Sequence, residues 1–319
     1  MPVYTVGGIS AVVEASMVAN VKNYGAIGDG VTDDAAAIQS ALDTFSLSGG
    51  IIFFPNATYL VKSPVKFYSN QTLWFENGAR LLQGAAIDNI IRSKVDSTAG
   101  GYTGIHDVLI YGGIFDGGYF TTNNSPVAFC HGQNITFENC KFINAYGKYH
   151  NLEINSSRNV KILNCEFEGS RKNNDHGELI QIDGAGLSSW YPWDNCKMDN
   201  TVSTYVEIAG CYFHDCTASP AIGNHSELAH KYIRIHDCIF DGFSIARGAM
   251  NFVLAARDID IYNNSFINCS YGVRSLNNGS ATAGNTYYIH DNRFIGVTSV
   301  STVSNSVVHN NMVNGTYTA

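Results

Sequence analysis

From residue 134 to the C-terminus, one pattern of apolar and polar positions recurs along the chain. Each copy is a short apolar alternation, then Asn, Cys or Asp, then an aromatic or aliphatic residue and a small one. Alternation with a period of two is typical of a strand that buries one face. The copies start at residues 134, 159, 204, 231, 258, 286 and 304, so most neighbouring starts lie 25 to 28 residues apart.

This spacing predicts a parallel β-helix with three strands in each coil. Spacings near 27 residues fit one coil, and the 45-residue gap from 159 to 204 holds a coil plus a loop of about 20 residues. A single coil cannot bury its own apolar face, so the stack of coils is the folding unit. Asn at the turns tolerates the left-handed conformation and can pair with the Asn above and below it.

One helix is predicted upstream of the repeats, over residues 33–46. Thr32 is the expected N-cap, and the two acids after it lie at the positive end of the helix dipole. The spacing of Ile38, Leu42 and Phe45 gives the helix one apolar face, and SLSGG ends it. An uncovered coil would expose core and strand edges, so we expect this helix to cover one end of the stack.

The segment NVKNYGAIGDGVTDDAAAIQSALD and the following GGIIFFPNATYLV resemble the N-terminal signature of the pectate-lyase-like superfamily, over residues 20–62. That superfamily includes polygalacturonase-like hydrolases, alginate epimerases and many bacteriophage tailspike depolymerases. The resemblance implies an all-β, single-stranded right-handed parallel β-helix with an N-terminal capping α-helix. We assign this domain to residues 20–319 and residues 1–19 to an N-terminal segment or linker. The same signature occurs in proteins with several different activities and in some proteins that are not enzymes.

Composition narrows the choice of partner. Charged residues form only 14% of the 319 residues, and the net charge is −8 without any run of Lys or Arg. The sequence therefore lacks the cluster of basic residues that is typical of nucleic-acid-binding proteins. The 18 tyrosines suit sugars, and a cell-surface or capsular polysaccharide is the expected partner. The chain has no signal-peptide pattern and no apolar run of 18 residues, so we expect no membrane span and an extracellular or virion-associated location.

The eight cysteines show no CxxC spacing. Four of them end a similar phrase, as in FENC, ILNC, IAGC and IHDC, which indicates equivalent positions in successive coils. We expect buried free thiols, with disulfides and a metal site as alternatives. No cofactor is expected; calcium is an alternative without a specific motif. The cysteines that follow strand-like spacings are Cys140, Cys165, Cys211, Cys216, Cys238 and Cys269.

Sugar chains bind β-helices along the outward face of one sheet, so outward polar groups on successive coils mark the candidate site. Five segments align by their position between the repeats. They are HNLEIN (150–155), HGELIQID (176–183), SPAIGNHSE (219–227), MNFVLAA (250–256) and YGVRSLNN (271–278).

Glu178 and Asp183 are the candidate acid and base, with Asp175 and Glu153 as substitutes. Glycoside hydrolysis needs one carboxyl to protonate the leaving oxygen and another to activate water or attack carbon. Residues 178 and 183 could lie about 17 Å apart along a strand, beyond the roughly 5–9.5 Å of the known mechanisms. A pair on adjacent coils, such as Glu153 above Asp183, fits more easily. The alternative is that these acids are solvated strand residues.

Further polar residues complete the candidate groove. Gln181 and Asn251 are expected to face outward and bind sugar, and a bend could turn His176 toward the same groove. AIGNHS resembles the SIGS coil of polygalacturonase-like enzymes, which gives His225 a possible catalytic role. The small Gly223 would let a sugar lie close to the backbone. The alternative for His225 is a surface histidine bonded within its own turn.

Arg247 or Arg274 could hold the carboxylate of a uronic acid, as β-eliminating lyases require, or form structural ion pairs. Trp190 and Trp193, in the interruption between residues 187 and 202, suggest a wall on which sugars stack. The alternative is a loop held by its own aromatic residues.

The polygalacturonase NTD motif, its paired DD and the epimerase DPHE motif are absent. Our leading hypothesis is a homotrimeric, phage or prophage tail-associated polysaccharide depolymerase that uses acid/base catalysis. A glycan receptor-binding module without catalysis and a secreted lyase or epimerase are the alternatives.

Overall fold

The chain is a single-stranded right-handed parallel β-helix, as predicted. The computed structural model describes residues 3–6, 9–12, 17–118, 120, 125–145, 150–170, 177–186, 196–216, 219–224, 228–253, 256–276, 286–304 and 306–317. Within these ranges a coil contributes one strand in turn to a first, a second and a third sheet. No helix in the described part of the chain is long and apolar enough to cross a membrane.

The three sheets contain 11, 12 and 9 strands. The first sheet consists of Val18–Asn20, Gly50–Phe54, Gln71–Phe75, Ile105–Tyr111, Gly132–Glu138, Arg158–Leu163, Thr204–Ala209, Lys231–His236, Arg257–Tyr262, Tyr287–His290 and Ser306–His309. The second consists of Asp29–Asp33, Thr58–Val61, Arg80–Gln83, Ile114–Asp116, Lys141–Ala145, Glu166–Ser170, Tyr212–His214, Ile239–Asp241, Ser265–Ile267, Arg293–Ile295, Met312–Val313 and Thr316–Tyr317. The third consists of Val65–Phe67, Ile91–Ser93, Val127–Cys130, Leu152–Asn155, Ile180–Asp183, Ile222–Gly223, Met250–Val253, Tyr271–Leu276 and Ser299–Ser301.

Two pairings in the described chain are antiparallel. Val3–Val6 pairs with Ile9–Val12 as a separate hairpin, and Met312–Val313 pairs with Thr316–Tyr317 at the C-terminal end. The first strand of the β-helix, Val18–Asn20, spans the boundary that we predict at residue 20.

A stack of phenylalanine rings fills the core beneath the second sheet. Six of the seven copies of the repeat place Phe two residues after their Cys or Asn, and the parallel register brings these rings together. Neighbouring centroids lie 4.6 to 5.2 Å apart with the rings within 19° of parallel, so each ring packs on the next. The stack contains Phe115, Phe142, Phe167, Phe213, Phe240, Phe266 and Phe294.

A second ladder lies at the turn between the first and second sheets. The position occupied by cysteine in the earlier coils is occupied by Asn264, Asn292 and Asn311 in the later ones. The Cys238 amide donates to Asn264 Oδ1 at 3.0 Å, and Asn264 and Asn292 each donate to the next asparagine at 3.0 Å. The residue before each ladder position has a positive φ and is Asn, Asp or Gly, which tolerate that conformation.

The cysteines agree in large part with the prediction of buried free thiols. Burial is the main cause that raises the pKa of Cys165 well above its usual range and that of Cys269 to about 11. Cys130 and Cys196, which lie outside the repeat, form a disulfide, so that alternative holds for one pair. The free, buried thiols are Cys140, Cys165, Cys211, Cys216, Cys238 and Cys269.

The α-helix runs from Ala35 to Thr44, and Thr32 is not its N-cap. Thr32 lies in a strand, because the nearby Asp29 carboxylate accepts hydrogen bonds from both its amide, at 2.7 Å, and its hydroxyl, at 2.9 Å. Asp34 occupies the cap position, but its carboxylate accepts from the amides of Ile27 and Gly28 instead.

The helix takes the place of a third-sheet strand in the first coil. It packs on Val65–Phe67, the first strand of the third sheet, and its Ile38 and Leu42 side chains are fully buried. Gln39 Oε1 accepts from the Lys66 amide at 2.7 Å, and Gln39 Nε2 donates to the Lys66 carbonyl at 3.1 Å. The helix therefore supplies hydrogen-bond partners to backbone groups at the edge of the third sheet. Covering this edge is the capping role predicted for the helix.

We predict that Asn264→Ala lowers the free energy of unfolding by about 1–3 kcal/mol, because it leaves the Cys238 amide and the buried Ile235 carbonyl without their hydrogen bonds. Asn264→Cys should cost less, since cysteine occupies this position in the preceding coil. Asn23→Ala, which removes an exposed amide, is the control. Urea unfolding measures the difference, and equal stability of all three variants would contradict the ladder's role.

Candidate functional site

The outer face of the third sheet carries many of the polar residues selected from the sequence. In Ile180–Asp183, Ile180 and Ile182 lie in the core, while Gln181 and Asp183 take the outward positions. One outward row runs in register across six successive coils. It contains Ala128, Glu153, Gln181, Gly223, Asn251 and Arg274.

Two carboxylates and two amides form a block in the centre of this face, which we call the acid–amide block. Asn155 Nδ2 donates to Glu153 Oε1 at 2.7 Å, and Gln181 Nε2 donates to Asp183 Oδ2 at 2.7 Å. Glu153 is in register with Gln181, and Asn155 with Asp183. Each acid therefore has an amide beside it in its own strand and another on the adjacent coil.

The expected position of Glu153 above Asp183 was wrong. The inward residues Leu152 and Ile154 must stack on Ile180 and Ile182, which sets the register. Glu153 consequently lies one coil away from Asp183 and two residues along the strand.

Glu178 reaches the same face although it precedes the strand. Leu179 and Ile180 are consecutive and both fully buried in the core, so the alternation breaks at a bend. A Cβ placed on Gly223 would lie 2.9 Å from Glu178 Cγ, so the Glu178 side chain lies over this glycine. The space that we expected to admit a sugar at Gly223 is therefore occupied by the acid.

A buried histidine lies beside Glu178. His150 Nδ1 is 3.2 Å from the Glu178 amide nitrogen, 3.1 Å from its carbonyl oxygen and 3.4 Å from carboxylate Oε2. His150 precedes the adjacent third-sheet strand, whereas Glu178 precedes its own. The two residues therefore meet where consecutive strands begin.

A second buried histidine lies beside Asp183. The Ser203 amide donates to His230 Nδ1 at 3.0 Å, which leaves Nε2 to carry the ring proton. That Nε2 lies 3.6 Å from Asp183 Oδ1. Ser203 Oγ donates to the Asp183 carbonyl at 2.6 Å, so the hydroxyl does not face the histidine as a nucleophilic serine would. At this distance the Asp183 carboxylate and the His230 ring interact electrostatically.

The acids are not solvated strand residues. Glu153, Glu178 and Asp183 are all buried, and so are Gln181 and Asn251. Buried charges are costly unless they are paired or hydrogen-bonded, and the contacts above supply those partners.

Asn251 and Arg274 continue the outward row beyond Gly223. Asn251 is fully buried, and neither of its side-chain polar atoms has a hydrogen-bond partner among the residues that the structure describes. Arg274 lies over the Tyr271 ring, 5.7 Å from its centroid, and donates to the Ala246 carbonyl. Arg247 lies in the turn before Met250–Val253 and does not belong to the row.

Five of the residues selected from the sequence lie outside the described ranges, and their roles stay predictions. They are Asp175, His176, Trp190, Trp193 and His225.

A known protein family matches most of this chain. The family described as rhamnogalacturonase A/epimerase, pectate lyase-like, matches residues 18–315. The chain belongs to this family. The match includes Glu153, Glu178 and Asp183 and every strand of the three sheets except Thr316–Tyr317.

Two proteins that are similar to this chain have names that indicate different roles. Plasmin and fibronectin-binding protein A of Streptococcus pneumoniae (strain ATCC BAA-255 / R6) is 31% identical over 240 residues, which are 65% of this chain and 33% of that protein. The pre-neck appendage protein of Bacillus phage B103 is 28% identical over 288 residues, 87% of this chain and 29% of that protein. This chain thus spans about a third of either relative's length.

Among solved structures, PfbA, a surface adhesin of Streptococcus pneumoniae, superposes with a TM-score of 0.72 and 23% identity. The alignment covers 93% of this chain and 78% of that one. At this identity the likeness shows the fold alone.

Sequence reasoning missed the two histidines and Asn155, the amide beside Glu153; it selected Gln181 but not its contact with Asp183. His150 begins the HNLEIN segment, and His230 comes just before a first-sheet strand, so each stands at a strand entrance. The acid–amide block could have been found from the paired patterns Glu-x-Asn and Gln-x-Asp in LEIN and IQID.

One cluster elsewhere has the geometry of a metal site. Glu166, Glu168 and His214 on the second sheet offer ligand atoms within 4.8 Å of one another. Lys141 Nζ lies 2.8 Å from Glu166 and 2.9 Å from Glu168, and therefore already supplies the positive charge that a metal would bring. Burial alone would lower the pKa of His214, but its bonds to Asp215 and Glu166 outweigh that effect and raise it.

We predict that Gly223→Ala is destabilising by about 1–3 kcal/mol, because the added methyl would collide with the Asn251 carbonyl oxygen and lie 2.9 Å from Glu178 Cγ. Gly132→Ala is the matched control, since it is also in a strand but would meet side-chain atoms of Ser157 and Ile105 at 3.1 and 3.2 Å. Urea unfolding compares the two variants. Equal losses would show that Glu178 does not lie tightly on residue 223.

Proposed function

We propose that this chain is a polysaccharide depolymerase that cleaves glycosidic bonds at the outer face of the third sheet. The observation that carries the proposal is the presence of two buried carboxylates, Glu178 and Asp183, each beside a buried histidine on one face. Membership of the rhamnogalacturonase A/epimerase-like family supports it.

In this proposal Glu178 is the acid and Asp183 is the base. Two hydrogen-bond donors face the Asp183 carboxylate, Gln181 Nε2 at 2.7 Å and His230 Nε2 at 3.6 Å, which suits a group that acts in its charged form. Glu178 protonates the leaving oxygen, with His150 beside it to exchange the proton. Asp183 activates water or attacks the anomeric carbon. Glu153 is the substitute acid, one coil away.

Asn251 and Arg274 bind the substrate in this scheme. A sugar hydroxyl would satisfy the buried Asn251 amide, which is otherwise costly by about 1–3 kcal/mol. Arg274, held over Tyr271, would bind the carboxylate of a uronic acid. Side chains carry all of this chemistry, and the proposal requires no cofactor.

A tail-associated location in a phage or prophage is part of the proposal. The relative in Bacillus phage B103 is a pre-neck appendage protein, and its similarity extends over 87% of this chain. A depolymerase at that place would remove a cell-surface or capsular polysaccharide.

A second candidate is a glycan receptor-binding module that does not cleave. The side chains of Glu178 and Asp183 are only 0% and 2% exposed, which favours a structural role for these acids. The similarity to plasmin and fibronectin-binding protein A also favours binding over cleavage.

We predict that Glu178→Gln and Asp183→Asn each reduce turnover by about 10²–10⁴, the usual contribution of a general acid or base. Folding and sugar binding should persist, because the amides keep the shape of the acids. The assay is release of reducing ends from a panel of capsular and cell-wall polysaccharides, with mass detection. Glu138→Gln on the first sheet is the control.

Full activity in both amide variants would exclude this acid/base assignment. Unsaturated uronides in the products would show that the chain cleaves by β-elimination rather than by hydrolysis. Binding of a polysaccharide without any cleavage by the unmodified chain would establish the receptor-binding candidate instead.

We also propose that the chain is a homotrimer, as the resemblance to tailspikes implies. Light scattering should then give about three times the chain mass of 34.7 kDa. A mass equal to one chain at micromolar concentration would refute the trimer.

A further inference from the structure

The outer face of the first sheet contains a groove that the proposed activity does not use. Its volume is about 400 Å³, and its floor is formed by successive first-sheet strands. An aromatic ridge borders it on one side, and a row of charged side chains forms the other. The residues that carry the argument are Tyr205, Tyr232, Tyr288, Glu207, Arg234 and Asp260.

The aromatic ridge occupies turn positions that suit other residues. Near the entrance to several successive first-sheet strands stands a residue with positive φ, and in neighbouring coils it is Asn134, Asn159 or Asp258. Tyr205 and Tyr232 stand at the same position with φ of 54° and 58°. Asn and Asp tolerate this conformation, whereas a bulky aromatic residue does not. Two consecutive coils therefore hold tyrosine where folding alone favours asparagine.

The two rings are displayed to solvent. They stack with centroids 4.8 Å apart and planes 22° from parallel, and Tyr205 and Tyr232 are 58% and 41% exposed. Tyr288, 40% exposed, lies further along the groove, in register with Asp260. Strained aromatic residues that stay exposed point to a ligand rather than to a packing role.

The charged row excludes other classes of partner. Lys161, Glu207, Arg234 and Asp260 are in register on successive coils and alternate in sign, so the row has no net charge. A polyanion such as a nucleic acid would meet more acids than bases, since Asp258 also lines the groove. A flat apolar protein surface would have to desolvate all four charges, which is costly. A polar, uncharged ligand can hydrogen-bond to these groups without displacing them.

We propose that this tyrosine groove binds a neutral polysaccharide as a second site, distinct from the third-sheet face. From Lys161 to Tyr288 the groove crosses four steps between coils, about 19 Å at roughly 4.8 Å per step. Sugar rings pack on the exposed faces of Tyr205 and Tyr288, and their hydroxyls bond to the charged row. The site retains a glycan whether or not the third sheet cleaves it.

The test replaces both strained tyrosines by the residue that the neighbouring coils use. Tyr205→Asn/Tyr232→Asn should lower affinity for a neutral hexasaccharide about tenfold or more, while the melting temperature stays equal or rises because the left-handed strain is relieved. The ligands are hexasaccharides of glucose, galactose, mannose and N-acetylglucosamine, measured by calorimetry. Tyr317→Asn, which removes an exposed tyrosine outside the groove, is the control and should bind as the unmodified chain does.

Other outcomes of this experiment would overturn the proposal or separate it from the third-sheet proposal. Unchanged affinity in the double variant, or no binding of any of the four hexasaccharides by the unmodified chain, overturns the proposal. A lower mass of the double variant in light scattering also overturns it, since the ridge would then be an interface between copies of the chain. Glu178→Gln should leave hexasaccharide affinity intact, so failure of the third-sheet proposal is separable from failure of this one.

Discussion

Register between successive coils is the constraint on which the rest of this structure depends. Parallel strands about 4.8 Å apart place equivalent positions of neighbouring coils in direct contact. A residue type that repeats once per coil therefore becomes a continuous stack. The phenylalanine rings and the ladder that changes from Cys238 to Asn264 are both products of this rule. The ladder tolerates the change because a thiol and an amide can both meet the backbone groups of the turn.

The same contact disfavours like charges at equivalent positions, and the central rows of the two outer faces avoid such pairs in different ways. On the third sheet the acids alternate with amides, as Glu153 with Gln181 and Asn155 with Asp183. On the first sheet bases alternate with acids, as in the row that begins at Lys161. The third-sheet face buries its polar groups beside hydrogen-bond partners, while the first-sheet face exposes aromatic rings.

Departures from the repeat coincide with the residues that we propose to act on or bind a glycan. The alternation breaks at the bend before Ile180, and this break turns Glu178 onto the outer face. The asparagine turn breaks at Tyr205 and Tyr232, where the backbone is held in a conformation that tyrosine disfavours.

The sequence by itself determined the coil, the inward apolar positions, the buried thiols and the capping helix, because these follow from periods of two and about 27 residues within one segment. It also selected the correct face for Gln181 and Asp183. Only the tertiary structure decided which residue of one coil meets which of the next, since register depends on core packing across coils. That is why the partners His150 and His230, and the disulfide of Cys130, were not found from the sequence.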